Sequence, residues 1–136
     1  MILPTSEEID LISKIRLERA YETFSEAEGV AKLGYWRVVV NRLFYACHYA
    51  VLGLLLKNGY TSRTLEGALA IFVTKFAANG TIDKEQDNLY RKLNSIRKNE
   101  DYDDLFCLEK EDVEALFVPT KQFIKTIENL IKNNPQ

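Results

Sequence analysis

The sequence predicts an all-α fold, an antiparallel up-and-down helical bundle of four main helices plus a shorter fifth. Three observations carry the prediction. Apolar residues recur at helical spacing along most of the chain, and no alternating strand pattern competes. The only prolines are Pro4, Pro119 and Pro135, so helices can run long. Gly34, Gly59 and Gly80 punctuate the periodic segments.

The first helix opens at "TSEE", where Thr5 or Ser6 serves as the cap and glutamates occupy the first turn, favoured by the helix dipole. Ile9, Ile12, Arg16, Ala20, Phe24, Ala27 and Ala31 form its stripe to about Lys32, and Gly34 ends it. The second helix spans about Tyr35 to Asn58 and stops at Gly59. It is apolar on nearly every side, as expected of a helix packed all round. Val38 to Val40 are β-branched but lie inside this helical context. Thr61 or Ser62 begins a third helix through "TLEGALAIFVTKF" to Gly80, and "TIDKEQ" starts a fourth, from about Asp83 to Lys98 or slightly beyond. An acidic "EDYDD" loop follows. The last helix runs from near Glu109 to about Lys132, with a kink or break expected near Val118 because Pro119 falls within it.

Residues 1–136 are expected to form one domain, long enough for a real core. The hydrophobic share of 46% and charged share of 28% are ordinary for a globular chain. A net charge of −2 does not advertise nucleic-acid binding, so any such site has to be a local patch. Cys47 and Cys107 lie far apart and match no metal-ligand spacing, and the one histidine, His48, removes most metal sites as well. No glycine-rich phosphate loop is present, and no cofactor is called for. The N-terminus shows no export signal. Val38 to Leu56 is the most apolar run, but it contains Asn41, Arg42 and His48, and an arginine in lipid is costly. A buried central helix of a cytoplasmic protein, with no membrane, is the expectation.

Two constellations stand out. Arg42 sits in the most apolar helix and has to find partners, because an unpaired buried charge costs several kcal/mol. It either pairs with a carboxylate from another helix or lines a cleft and meets an anion such as a phosphate, for which the planar guanidinium fork is suited. On the helical wheel Arg37, Asn41, Phe44 and His48 share one stripe, and Arg42 lies near Val38, Tyr45 and Tyr49. The second constellation is "YRKLNSIRKNEDYDDLF", Tyr90 to Phe106. Arg97 and Asp101 are four apart, which allows a local salt bridge worth a few tenths of a kcal/mol. The alternative presents Arg97, Asp101 and Tyr102 to a ligand. Cys47 and His48 are neighbours pointing about 100° apart, so they do not pair as thiolate and imidazole.

The order "YWRVVVNRLFYACHYAVLGLLLKNG", "GALAIFVTKF", "LYRKLNSIRKNEDYDD" resembles the HEPN superfamily (higher eukaryote and prokaryote nucleotide-binding domains), closest to its small stand-alone prokaryotic members. Asn41, Arg42, Phe44, Tyr45 and Ala46 match an "NR-aromatic-Tyr-A" run on the second helix. Arg97, Asp101 and Tyr102 match an "R-x-x-x-D-Y" run near the end of the fourth.

The resemblance implies a helical module that forms a homodimer and works beside a minimal nucleotidyltransferase in a toxin–antitoxin-like two-component system. It implies binding of a nucleotide or RNA by Asn41, Arg42, Tyr45, Arg97, Asp101 and Tyr102. Other relatives are metal-independent RNases built on an R-x(4–6)-H pair at the dimer cleft. Here the pattern departs: Tyr102, then Asp103 and Asp104, stand where that histidine belongs. Histidine suits proton transfer near neutral pH, whereas tyrosine, with a pKa near 10, is a poor base. The expectation is therefore a non-catalytic or weakly catalytic module, and the alternative is an RNase toxin using Arg97 with Tyr102 or His48.

Overall fold

Thr5 starts the first helix, and the reason is local chemistry. Its hydroxyl accepts from the Glu8 backbone N–H at 3.1 Å, while the Glu8 carboxylate accepts from the Thr5 N–H at 3.0 Å. This reciprocal box satisfies two of the donors that a helix start leaves open. It also holds the Glu8 carboxyl below its usual pKa. In the computed structural model the described residues are 3–102 and 107–133, and the side chains of residues 100–102 are not among them. All regular elements among the described residues are helical: α1 (Ser6–Ala31), α2 (Trp36–Lys57), α3 (Leu65–Phe72) running into a π-helical turn (Val73–Ala77), α4 (Lys84–Tyr102), α5 (Lys110–Glu114) and α6 (Phe117–Lys132).

The all-α class expected from periodicity is what the protein has. Gly34, Gly59 and Gly80, the expected stops, all adopt positive φ, which closes each helix without Cβ strain. Several boundaries differ from the expectation. The third helix begins at Leu65, because Thr64, and not Thr61 or Ser62, accepts from the Gly67 N–H at 2.9 Å. The α4 backbone continues through Tyr102, so Glu100–Tyr102 is helical and not loop. The segment near Pro119 is two helices, broken at Ala115 and Leu116. Pro119 falls in the first turn of α6, where its missing N–H would have had no helical partner.

Helix α2 is the centre of the protein and packs against α1, α3, α4, α5 and α6. By length and composition α2 could cross a membrane, but 67% of its apolar window is buried inside the protein, which is the position of a core helix. Helix α2 meets α1 tightly at Gly53, whose carbonyl accepts from the Ser13 hydroxyl at 3.1 Å. A Cβ at Gly53 would lie 3.2 Å from the Ser13 carbonyl oxygen. This contact sets the face of α1 that turns inward. Ser13, Leu17, Ala20, Phe24 and Ala27 are buried, whereas Ile12, expected in the stripe, is 36% exposed. The aromatic part of the core is built by Phe44 of α2, Phe72 of α3, Tyr90 of α4 and Phe123 of α6, with Tyr90 touching the other three rings at 5.3 to 5.6 Å.

Candidate functional site

Helix α2 carries both buried and half-buried chemistry because it is wrapped unevenly. Phe44, Cys47 and His48 are buried; Asn41, Arg42, Tyr45 and Tyr49 are half-buried along its outer edge. Arg42 and Tyr45 are three apart and therefore share a face, and the Arg42 guanidinium lies over the Tyr45 ring, 5.5 Å from its centroid. Arg42 Nε and Nη2 donate to Asn41 Oδ1 at 3.1 and 2.8 Å, and Nη1 donates to Glu26 Oε1 of α1 at 3.2 Å. The interhelical ion pair weighed for Arg42 is thus present, but it is not internal. The Arg42 side chain is 29% exposed and Glu26 57%. A pair so open to water is worth little and does not seal the guanidinium off.

Arg97 comes from α4. Its Nη2 donates to Asn94 Oδ1 at 3.0 Å, and its guanidinium lies 5.1 Å from the Phe44 ring centroid. Phe44 and Tyr45 meet edge to face at 5.2 Å. Two guanidiniums from two helices therefore rest on adjoining rings of one aromatic pair. Because α4 continues to Tyr102, Arg97 and Asp101 are four residues apart within one helix. The side chains of Asp101 and Tyr102 lie outside the described residues.

Sequence alone left the placement of His48 open. The structure stacks it on Phe44 at 5.6 Å and joins its Nδ1 to the Tyr90 hydroxyl at 2.8 Å. Burial pushes its pKa down to about 4, with Arg16 and Arg97 adding to the shift. The imidazole is neutral near pH 7, chiefly because it is buried. Tyr90, buried beneath, has its own pKa raised by desolvation, with Cys47 contributing. Cys47 itself is fully buried. Its thiol pKa is raised by burial, against the opposing effect of Thr120, so it is no nucleophile.

Sequence reasoning missed what α1 contributes. Arg19 lies over the Tyr49 ring at 5.6 Å, and Tyr49 meets Tyr45 at 6.1 Å, so the ring and guanidinium surface runs from α1 across α2 to α4. Arg16 is half-buried within the helical stripe of α1, and a cation at such a position is the one signal the sequence carries for it. Asn94 and Glu26, the fixers of Arg97 and Arg42, gave none. Grooves of about 720 Å³ (Leu89, Lys92, Ile96, Leu116) and 580 Å³ (Tyr60, Lys75, Asn79, Asn129) lie away from this face.

The family model for the HEPN domain matches residues 13–130. The chain belongs to the HEPN family. A UPF0332 protein of Thermotoga maritima is 33% identical over 115 residues, which cover 85% of this chain and 87% of that protein. The HEPN match takes in Arg16, Arg19, Arg42, His48 and Arg97 together. HEPN domains are in general nucleotide- or RNA-related. Chemically, the face offers guanidinium forks for phosphate oxygens and rings for base stacking.

Proposed function

We propose that this HEPN chain is a cytoplasmic nucleotide- or RNA-binding module, non-catalytic or weakly catalytic. It acts as a homodimer of antiparallel up-and-down helical bundles, beside a nucleotidyltransferase partner in a toxin–antitoxin-like two-component system. The observation that carries the reading is the seating of Arg42 and Arg97, both part-exposed, on the adjoining rings of Tyr45 and Phe44. Arg42 and Arg97 engage phosphate, Tyr45 and Tyr102 contact a base or ribose, Asn41 holds the Arg42 fork, and Asp101 orients Arg97. The face is open, and a second copy placed against it would convert it into a cleft. Isothermal calorimetry with a panel of nucleotides and short oligoribonucleotides, on the natural chain and on Arg97→Ala, tests the reading. Binding that Arg97→Ala removes is expected; equal silence of both proteins would refute it.

One observation favours a second reading, a metal-independent RNase. His48 stacks on the Phe44 ring at 5.6 Å, and the Arg97 guanidinium lies 5.1 Å from the centroid of the same ring. That brings an arginine and a histidine to one face although Tyr102 occupies the expected histidine position. The pKa of about 4 argues for weak proton-transfer power at neutral pH. Expression in a bacterial host separates the two readings: growth arrest relieved by both Arg97→Ala and His48→Ala favours the RNase, and harmless expression favours the binding module.

A further inference from the structure

A cavity of about 430 Å³ lies between α1, the end of α2 and α6. It takes no part in the candidate face, because Lys14, Leu17, Glu18 and Tyr21 line it from one side of α1 and Arg19 projects from the other. Its floor is apolar: Leu17 and Ile131 are buried, with the buried Ser13 beside them. Two contacts fix the register of its walls. The Tyr21 hydroxyl donates to Glu128 Oε1 at 2.6 Å. Gly53, bonded to Ser13, has Ile131 Cδ1 3.5 Å from the place a Cβ would take. Tyr21 therefore faces Glu128 and the Ser13 level faces Ile131, so α1 and α6 run antiparallel here. The charges sort by that register. Lys14 and Lys132 flank the Ser13 level, with Lys57 beyond them held by Asp10; Glu18 and Glu128 flank the Tyr21 level. Lys132 and Glu128 pair along α6 at 2.9 Å. Lys14 and Glu18 are exposed, and among the described residues neither has an opposite charge at ion-pair distance.

We propose that this cavity binds an apolar dipeptide in its zwitterionic form. The ligand carboxylate meets Lys14 and Lys132, its ammonium meets Glu18 and Glu128, and its side chains rest on Leu17 and Ile131. Charge arrangement and length both select this class. The three lysines and three carboxylates of the lining leave no net charge, so a polyphosphate gains nothing here, whereas a ligand with separated charges finds a cationic end and an anionic end. Lys14 and Glu18 are one turn apart, and four helical residues rise about 6 Å. Two extended residues span about 7 Å, which fits that separation, and a single amino acid spans about half of it. The cavity volume is within the ordinary range for a small-molecule site, and an apolar floor with a few placed charges is the usual lining of one.

Calorimetry with L-leucyl-L-leucine, its N-acetyl form and its C-terminal amide tests the site, because each cap deletes one ligand charge and leaves the apolar body. The free dipeptide is expected to bind, and each capped form to bind about fivefold more weakly. Leucine alone should also bind more weakly, since it cannot reach both ends. Glu18→Gln should erase the penalty of N-acetylation, and Lys14→Gln the penalty of amidation. Both side chains are exposed, so both variants should keep the fold. Arg97→Ala should leave dipeptide binding unchanged, which keeps this site separate from the nucleotide-binding reading. Silence of the dipeptide at millimolar concentration, capped forms that bind as well as the free dipeptide, or cap penalties that persist in the matching variants would overturn the proposal. So would a loss of dipeptide binding in Arg97→Ala, which would seat the ligand on the arginine face.

Discussion

The Nδ1 atom of His48 and the hydroxyl of Tyr90 are hydrogen-bonded at 2.8 Å inside the core, with their rings stacked at 6.4 Å and an arginine on α1 and another on α4 acting on the imidazole. A polar pair is thus placed where the aromatic core meets the cationic face. It fixes the ring orientation of His48.

Acid should weaken the fold through His48. Its folded-state pKa, about 4, lies below the ordinary value of 6.5 that the unfolded chain regains. The unfolded state therefore binds more protons between those values, so stability is present above about pH 6.5 and is lost as pH falls towards 4. The loss should be about 3 kcal/mol, at 1.36 kcal/mol per unit. Urea denaturation from pH 7 to 4 should show this slope, and His48→Gln should flatten it. Glu8 and Glu128, whose carboxyls are held below their usual range, add to the loss only at the acid end, so the slope above about pH 5.5 reports His48.

Gly53→Val should separate α1 from α2. The new side chain meets a backbone oxygen of Ser13, which cannot swing aside. Overpacking at such a contact costs about 1–3 kcal/mol. Thermal unfolding should register it, and the Ser13–Gly53 hydrogen bond should weaken with it.

Phe44→Leu keeps an apolar side chain in the core but removes the ring beneath Arg97. The stability cost should stay below about 1.5 kcal/mol, in contrast to about 3–5 kcal/mol for Phe44→Ala. Nucleotide affinity should fall about threefold or more, since cation–π support is worth about 0.5–2 kcal/mol. Calorimetry alongside urea denaturation separates the two effects.

Glu26→Gln should strengthen ligand binding. The substitution removes the exposed carboxylate that competes for Arg42 Nη1. Stability should change by no more than about 0.5 kcal/mol. Affinity for a phosphate ligand should rise about twofold at low salt, and the gain should fade as salt screens the face. Unchanged or weaker binding would count against Arg42 as a phosphate contact.

The sequence by itself determined the helical class, the inward place of α2 and the glycine stops. These rest on local chemistry: apolar period, capping side chains and backbone freedom act over a few residues and need no distant partner. It also presented Arg42, Tyr45 and Arg97 as residues of interest, through motif order and because a charge in an apolar helix is conspicuous. Tertiary structure alone decided that Arg42 and Arg97 share one aromatic pair, that Glu26 and Asn94 steady them, and that Arg19 joins from α1. Those are contacts between residues far apart in the chain, set by how α1 and α4 cross α2. The inward face of α1 shows why. Periodicity placed Ile9 and Ile12 inside, yet the Ser13–Gly53 contact turns that end of the helix, so Ser13 and Leu17 are buried while Ile12 lies at the surface. A stripe of helical period states that one face is buried, but which residue centres that face depends on where the neighbouring helix allows the closest approach.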